Sequence, residues 1–174
     1  YAGLAFTRAN VGYVHAIAHQ FGGLYHTPHG LANAIMLPHV LDYSAQAAIP
    51  QLARLAERAG LGADGDDEAT LAHKFIDGVR ALNARLNIPT TLEALREDDI
   101  PALAAAACPE PLIGYPVPRY MDQATCEAIT RKLLPGPKAR TAAKASTPTP
   151  AKAAAKRKPA APKAPSSKTA SRKT

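Results

Sequence analysis

Apolar and polar residues follow helical spacing along most of the first 134 residues of the chain. Repeats at three and four residues predict helices over residues 2–21, 30–43, 49–59 and 70–86. Gly22 and Gly23 are expected to end the first helix, whereas Gly12 is expected to be a tolerated weak point inside it and a place of close packing. The second helix is apolar on nearly every face, which predicts burial, and Pro38 is expected to kink it.

The helix over 70–86 has the clearest amphipathic pattern. Its predicted inner face consists of large apolar residues at helical spacing, namely Leu71, Phe75, Val79, Leu82 and Leu86. His73 lies off this stripe and is expected to be solvated. The acidic segment 63–68 before the helix lacks the ligand order of a calcium loop, so it predicts a loop and a helix N-cap.

The C-terminal part of the body carries two further helix starts. Three acids at 97–99 precede Ile100 and Pro101, a pattern that favours a helix start because acids complement the free amides there. Residues 109–118 hold four prolines and predict an extended loop, after which Asp122 is a plausible N-cap for the last helix. No alternating strand pattern is convincing, so the body is predicted to be all-α.

Charge divides the chain into two parts. Residues 1–134 contain fourteen acidic and ten basic residues, whereas residues 135–174 contain eleven basic residues and no acid. The second part is dominated by Ala, Lys, Pro, Ser and Thr and is expected to be disordered, because it cannot bury enough apolar surface to order itself. Its cations could bind nucleic acid or another polyanion without reading sequence, or could form a solubilising appendage.

Two cysteines, Cys108 and Cys126, are too few for a disulfide framework and lack metal-motif spacing. They favour a reduced, cytoplasmic setting. The sequence contains no apolar run long enough to span a membrane, and no signal peptide is evident at Tyr1.

Four of the six histidines fall within fifteen residues, from His15 to His29. His15 and His19 are four residues apart, so a helix places both imidazoles on one face. A turn-rich segment around Pro28 then returns the chain and can bring His29 near the first helix. Three such imidazoles suit iron, zinc, copper or nickel, although an isolated pair is more often an ordinary polar feature. The zinc-protease helix is excluded, because no Glu follows His15.

The same region carries three linked motifs. They are Gly-Tyr-Val-His-Ala-Ile-Ala-His-Gln-Phe-Gly-Gly at 12–23, Thr-Pro-His-Gly-Leu-Ala-Asn-Ala-Ile at 27–35 and Leu-Pro-His-Val at 37–40. Together they resemble the metal-site segment of the iron-containing (group III) alcohol dehydrogenases, and the resemblance covers essentially 1–134. It implies the helical, dehydroquinate synthase-like C-terminal domain of that family at 1–134, followed by the basic tail at 135–174.

The resemblance also implies roles for single residues. His15 and His29 match two of the family's iron ligands, which are one Asp and three His. His19 matches a histidine that lies near the nicotinamide, so a catalytic role and, with His29, a place at the cofactor are implied. His26 and His39 fall where the pattern requires no ligand, and both are expected to be structural.

The family's Asp ligand, its first His ligand and its nucleotide-binding segment have no counterpart here, so the chain is expected to be a C-terminal fragment or truncated product. The implied function is that of an Fe(2+)-dependent (or Zn(2+)-dependent) dehydrogenase, with hydride transfer between a small alcohol or aldehyde and NAD or NADP in the intact, oligomeric enzyme. One alternative is a nucleic-acid or polyanion-binding protein with a basic tail on an inactive helical body. Another is a metal-binding remnant without turnover.

Overall fold

The computed structural model describes residues 1–136, which contain seven α-helices and three short 3₁₀ helices. The α-helices are α1 (Ala2–Ala9), α2 (Tyr13–Tyr25), α3 (His29–Ser44), α4 (Ile49–Arg58), α5 (Glu68–Arg85), α6 (Ile100–Ala107) and α7 (Gln123–Arg131). The 3₁₀ helices are Ala45–Ala47, Glu97–Asp99 and Glu110–Ile113. No strand occurs among the described residues, and the all-α prediction is confirmed. The predicted tail lies outside them beyond Gly136.

The single helix predicted over 2–21 is wrong, because the chain breaks between α1 and α2. Asn10 adopts the left-handed conformation with φ of 59°, which interrupts the helical backbone. Gly12 then precedes α2 where a Cβ atom would lie 3.3 Å from a methyl carbon of Val117. The close packing expected at Gly12 is therefore confirmed, and its neighbour is a distant loop.

The predicted stop at Gly22 and Gly23 is also wrong, because α2 continues to Tyr25. A glycine inside a helix costs only about 1 kcal/mol relative to alanine, which the packing of α2 offsets. The helix ends at His26, whose φ of 55° is left-handed and whose N–H donates to the carbonyl of Gly22 at 3.1 Å. Helix α3 begins three residues later at His29, so the chain returns directly against α2.

One main hydrophobic core lies between α2, α3, α6 and α7. Its most deeply buried large side chains are Ile17, Phe21, Met36, Ile100 and Leu133. One face of α2 packs into this core, and the opposite face carries polar residues.

Pro38 lies inside α3, as predicted, and cannot donate to the carbonyl of Ala34 one turn earlier. The side-chain amide of Asn83 on α5 donates to that carbonyl instead, at 2.8 Å. A neighbouring helix thus supplies the hydrogen bond that the proline removes.

Helices α4 and α5 form an antiparallel pair beside the core. Asp67 caps α5 by accepting from the backbone N–H of Thr70 at 2.7 Å, which confirms the predicted N-cap. The predicted inner stripe is partly wrong: Leu82 and Leu86 are 45% and 61% exposed, while Ile76 is 1% exposed. Ala72 and Leu71 complete the buried face, and His73 is exposed as expected.

The proline-rich stretch predicted as an extended loop contains the 3₁₀ helix Glu110–Ile113. Asp122 then caps α7 by accepting from the N–H of Thr125 at 2.7 Å, as predicted. Within the described part of the chain, no helix has the length and apolar content that a membrane crossing requires.

Candidate metal and catalytic site

Three histidines meet where the polar face of α2 approaches the start of α3. His15 and His19 lie one turn apart on α2, and His29 is the first residue of α3. Their ring centroids are 5.2 Å apart for His15 and His29, 5.7 Å for His19 and His29, and 5.9 Å for His15 and His19. We call these three residues the histidine triangle. The structure brings together every residue of the predicted site, although their roles stay predictions.

Solvent exposure differs across the histidine triangle. His15 is half-buried, whereas His19 and His29 are exposed. Burial lowers the pKa of His15, and the neighbouring rings of His29 and His19 lower it further. Its imidazole therefore favours the neutral form, which is the form that binds metal ions.

Asn33 orients His29 from one turn further along α3. Its amide nitrogen donates to the backbone carbonyl of His29 at 2.9 Å and lies 3.1 Å from the Nε2 atom of the same residue. The amide N–H can donate to Nε2 only if that nitrogen carries a lone pair. Asn33 Oδ1 is buried and has no hydrogen-bond partner among the described residues.

His19 has a partner that sequence reasoning missed, and that partner is itself held by a tyrosine. Its Nδ1 atom lies 2.8 Å from Oε1 of Glu110, and the hydroxyl of Tyr115 donates to the same oxygen at 3.0 Å. Glu110 is 91 residues from His19 and lies in the proline-rich stretch. No local pattern signals such a pairing, because it depends on the packing of the 3₁₀ helix beside α2.

A cavity of about 520 Å³ adjoins the histidine triangle. His15 and Asn33 contribute polar groups to its wall, and most of the remaining lining is apolar, including Val14, Leu37 and Val117. Cavities of this size with few polar groups are typical of small-molecule sites.

The donors in the structure fit part of a metal site. Two or three neighbouring imidazoles suit a divalent transition metal. No group of three or more His, Cys, Asp or Glu residues among residues 1–136 has an arrangement that could hold an ion by itself. His26 serves as the left-handed cap of α2, and His39 is half-buried against a separate cavity with Arg80 and Lys132, in line with the structural roles expected for both.

The model of the Fe-containing alcohol dehydrogenase family, C-terminal, matches residues 1–134. The 1,3-propanediol dehydrogenase of Citrobacter freundii is 45% identical over 108 residues, which are 61% of this chain and 28% of that protein. The lactaldehyde reductase of Escherichia coli (strain K12) is 38% identical over 115 residues, which are 65% of this chain and 30% of that protein.

Solved structures also match the fold of this chain. A crystal structure of 1,3-propanediol oxidoreductase matches with a TM-score of 0.71 and 39% identity over 76% of this chain and 35% of that chain. An alcohol dehydrogenase from Oenococcus oeni matches with a TM-score of 0.68 and 31% identity, with the same coverage. The chain therefore spans about a third of the length of these relatives.

Proposed function

This chain belongs to the Fe-containing alcohol dehydrogenase family, and we propose that it provides the metal-binding portion of an NAD- or NADP-dependent alcohol dehydrogenase. The relatives named as propanediol dehydrogenase and lactaldehyde reductase support a small alcohol or aldehyde as the substrate. A cytoplasmic location and an oligomeric intact enzyme are part of the same proposal.

The observation that carries the proposal is the histidine triangle. His15 and His29 have ring centroids 5.2 Å apart and match the two family ligands, so they would hold iron or zinc. Two imidazoles do not close a coordination shell, and the proposal assigns the remaining donors to the part of the relatives that this chain does not match.

The bound ion would supply Lewis acidity at the alcohol or carbonyl oxygen while hydride passes between carbon and nicotinamide. His19 would line the reacting centre beside the nicotinamide and contact or relay the hydroxyl proton, and His29 would lie close to the same cofactor. The adjoining apolar cavity would exclude water from the carbon end of a small alcohol.

Metal binding by the full 174-residue chain tests the proposal. Zn(II), and Fe(II) without oxygen, are titrated into the wild type, His15→Ala and His29→Ala. The basic tail contains no His, Cys, Asp or Glu, so it supplies no ligand of these types. His73→Ala is the matched control, because His73 is an exposed histidine on α5.

We expect weak but measurable binding, and each site variant should lower the affinity at least about tenfold, or about 1.4 kcal/mol. The control should bind as the wild type does. Equal affinities in all four proteins, or no binding by the wild type, would contradict the assignment of this site to the chain. Little or no NAD-linked oxidation of a primary alcohol is expected from the chain alone, since two ligands leave the ion mostly hydrated.

The charge of residues 135–174 favours a second, compatible function. Eleven basic residues without an acid can release counterions from a polyanion, so double-stranded DNA should bind with a steep salt dependence. Deletion of these residues should abolish that binding. Salt-independent binding, or binding that survives the deletion, would refute this second proposal.

A further inference from the structure

The Glu110 carboxylate has a defined geometry against His19. It lies 2.8 Å from the ring nitrogen Nδ1, and its side chain is only 19% exposed, compared with 42% for His19. The Tyr115 hydroxyl donates to the same carboxylate oxygen at 3.0 Å, and this hydrogen bond raises the pKa of the tyrosine. The carboxylate is thus held from two sides.

The local backbone holds Glu110 in this place. Pro109 and Pro111 flank it and restrict the backbone at the start of the 3₁₀ helix Glu110–Ile113. Gly114 then takes a φ of 127°, a conformation that suits glycine, and the N–H of Tyr115 donates to the carbonyl of Pro111 at 3.0 Å. This turn brings Tyr115 back onto the acid that opens the segment.

The chemistry of the pair fixes which nitrogen of His19 carries hydrogen. An ionised carboxylate only accepts hydrogen bonds, so the contact at 2.8 Å requires a hydrogen on Nδ1. In a neutral imidazole the other nitrogen, Nε2, then carries the lone pair. Free imidazole side chains have no such constraint, so the partner selects the tautomer.

We propose that Glu110 is a positioning residue for His19, which it holds in the Nδ1–H tautomer so that Nε2 is the atom available to the hydroxyl of the substrate. This inference rests on the proposed function for the role of His19. In alcohol oxidation the hydroxyl proton would pass to Nε2 while hydride leaves the carbon for the nicotinamide. Glu110 would stabilise the resulting imidazolium, and the hydrogen bond from Tyr115 would keep the Glu110 carboxylate in place.

Nitrogen-15 correlation spectra of the histidine side chains test the inference directly. They are recorded on the full, metal-free chain in mildly alkaline solution, and His19→Gln identifies the His19 signals. The variants are Glu110→Ala, Glu110→Gln and Tyr115→Phe. Glu93→Gln is the matched control, because Glu93 is an exposed glutamate outside the site. Amide spectra of each variant report whether the fold is retained.

We expect the wild type and the control to show hydrogen on Nδ1 and a bare Nε2. Glu110→Ala should invert the tautomer ratio, whereas Glu110→Gln, which keeps an acceptor oxygen, should retain a smaller Nδ1–H majority. Tyr115→Phe should lower the Nδ1–H fraction less than Glu110→Ala does. Hydrogen on Nε2 in the wild type, or an unchanged tautomer in both Glu110 variants, would overturn the inference.

Failure of this inference can be told apart from failure of the proposed function. The tautomer is read without metal, cofactor or turnover, whereas the proposed function depends on the metal titrations with His15 and His29 variants. A Glu110-dependent tautomer without metal binding would refute the site but keep Glu110 as the residue that orients His19. Metal binding with a Glu110-independent tautomer would refute only the role of Glu110.

Discussion

Replacing Tyr13 by phenylalanine should destabilise the fold through one buried hydrogen bond. Tyr13 is 2% exposed, and its hydroxyl accepts from the backbone N–H of Met121 at 2.8 Å and lies 3.4 Å from the carbonyl of the same residue. Burial raises the pKa of this hydroxyl, which therefore stays neutral around pH 7. Phenylalanine fills nearly the same space but leaves the Met121 N–H unpaired, and an unpaired buried donor costs about 1–3 kcal/mol.

The assay is urea unfolding followed by circular dichroism. A loss of about 2 kcal/mol would lower the midpoint by about 1 M for a slope of about 2 kcal/mol/M. Tyr120→Phe is the matched control: Tyr120 is 63% exposed, so its change should stay within about 0.5 kcal/mol. A Tyr13→Phe midpoint equal to that of the control would refute the reasoning, because water would then reach the Met121 amide.

Two further predictions concern α5. The hydrogen bond to Thr70 lowers the pKa of Asp67 in the folded chain. The stability that the ionised cap adds is therefore fully present above the pKa of the unfolded chain, about 3.9, and is lost as the pH falls through the lower pKa of the folded chain. The melting temperature should thus fall between about pH 5 and pH 3, and Asp67→Asn should reduce that slope in calorimetry; an unchanged slope would contradict the cap. Ile76→Ala should lower the free energy of unfolding in urea by about 2–4 kcal/mol, because Ile76 is 1% exposed. Leu82→Ala should lower it by under about 1 kcal/mol, because Leu82 is 45% exposed. Equal losses of stability in the two variants would contradict the buried face of α5 described above.

Sequence reasoning succeeded for features whose causes are local. The caps at Asp67 and Asp122 each bond a backbone amide three residues later, so a short window of sequence contains the whole interaction. The break between α1 and α2 could not be predicted in the same way. Gly12 lies against Val117, more than a hundred residues later, and helix propensity carries no information about that contact.

The inner face of α5 shows how packing decides between two plausible stripes. The prediction from sequence followed the large apolar residues at helical spacing and so placed Leu82 and Leu86 on the inner face, but both are exposed. In the structure, Ala53 and Ala56 of α4 pack with Leu71, and Leu52 of the same helix packs with Ala72 and Ile76. The face of α5 that approaches α4 therefore includes Ala72. Periodicity identifies an amphipathic helix, but the shape of its neighbour selects which face is buried.

The candidate site combines both kinds of information. His15, His19 and His29 lie within fifteen residues, so helical spacing and one turn suffice to predict that they meet. Glu110 lies 91 residues from His19 in a stretch whose prolines favoured an extended loop, and its contact depends on tertiary packing. On the proposal made above, a chain that kept the three histidines and lost Glu110 would keep the expected metal ligands but carry the hydrogen of His19 on the other ring nitrogen. The proposed ligand pattern can be read from the sequence, whereas the hydrogen position proposed for His19 depends on a contact with Glu110 that only the fold creates.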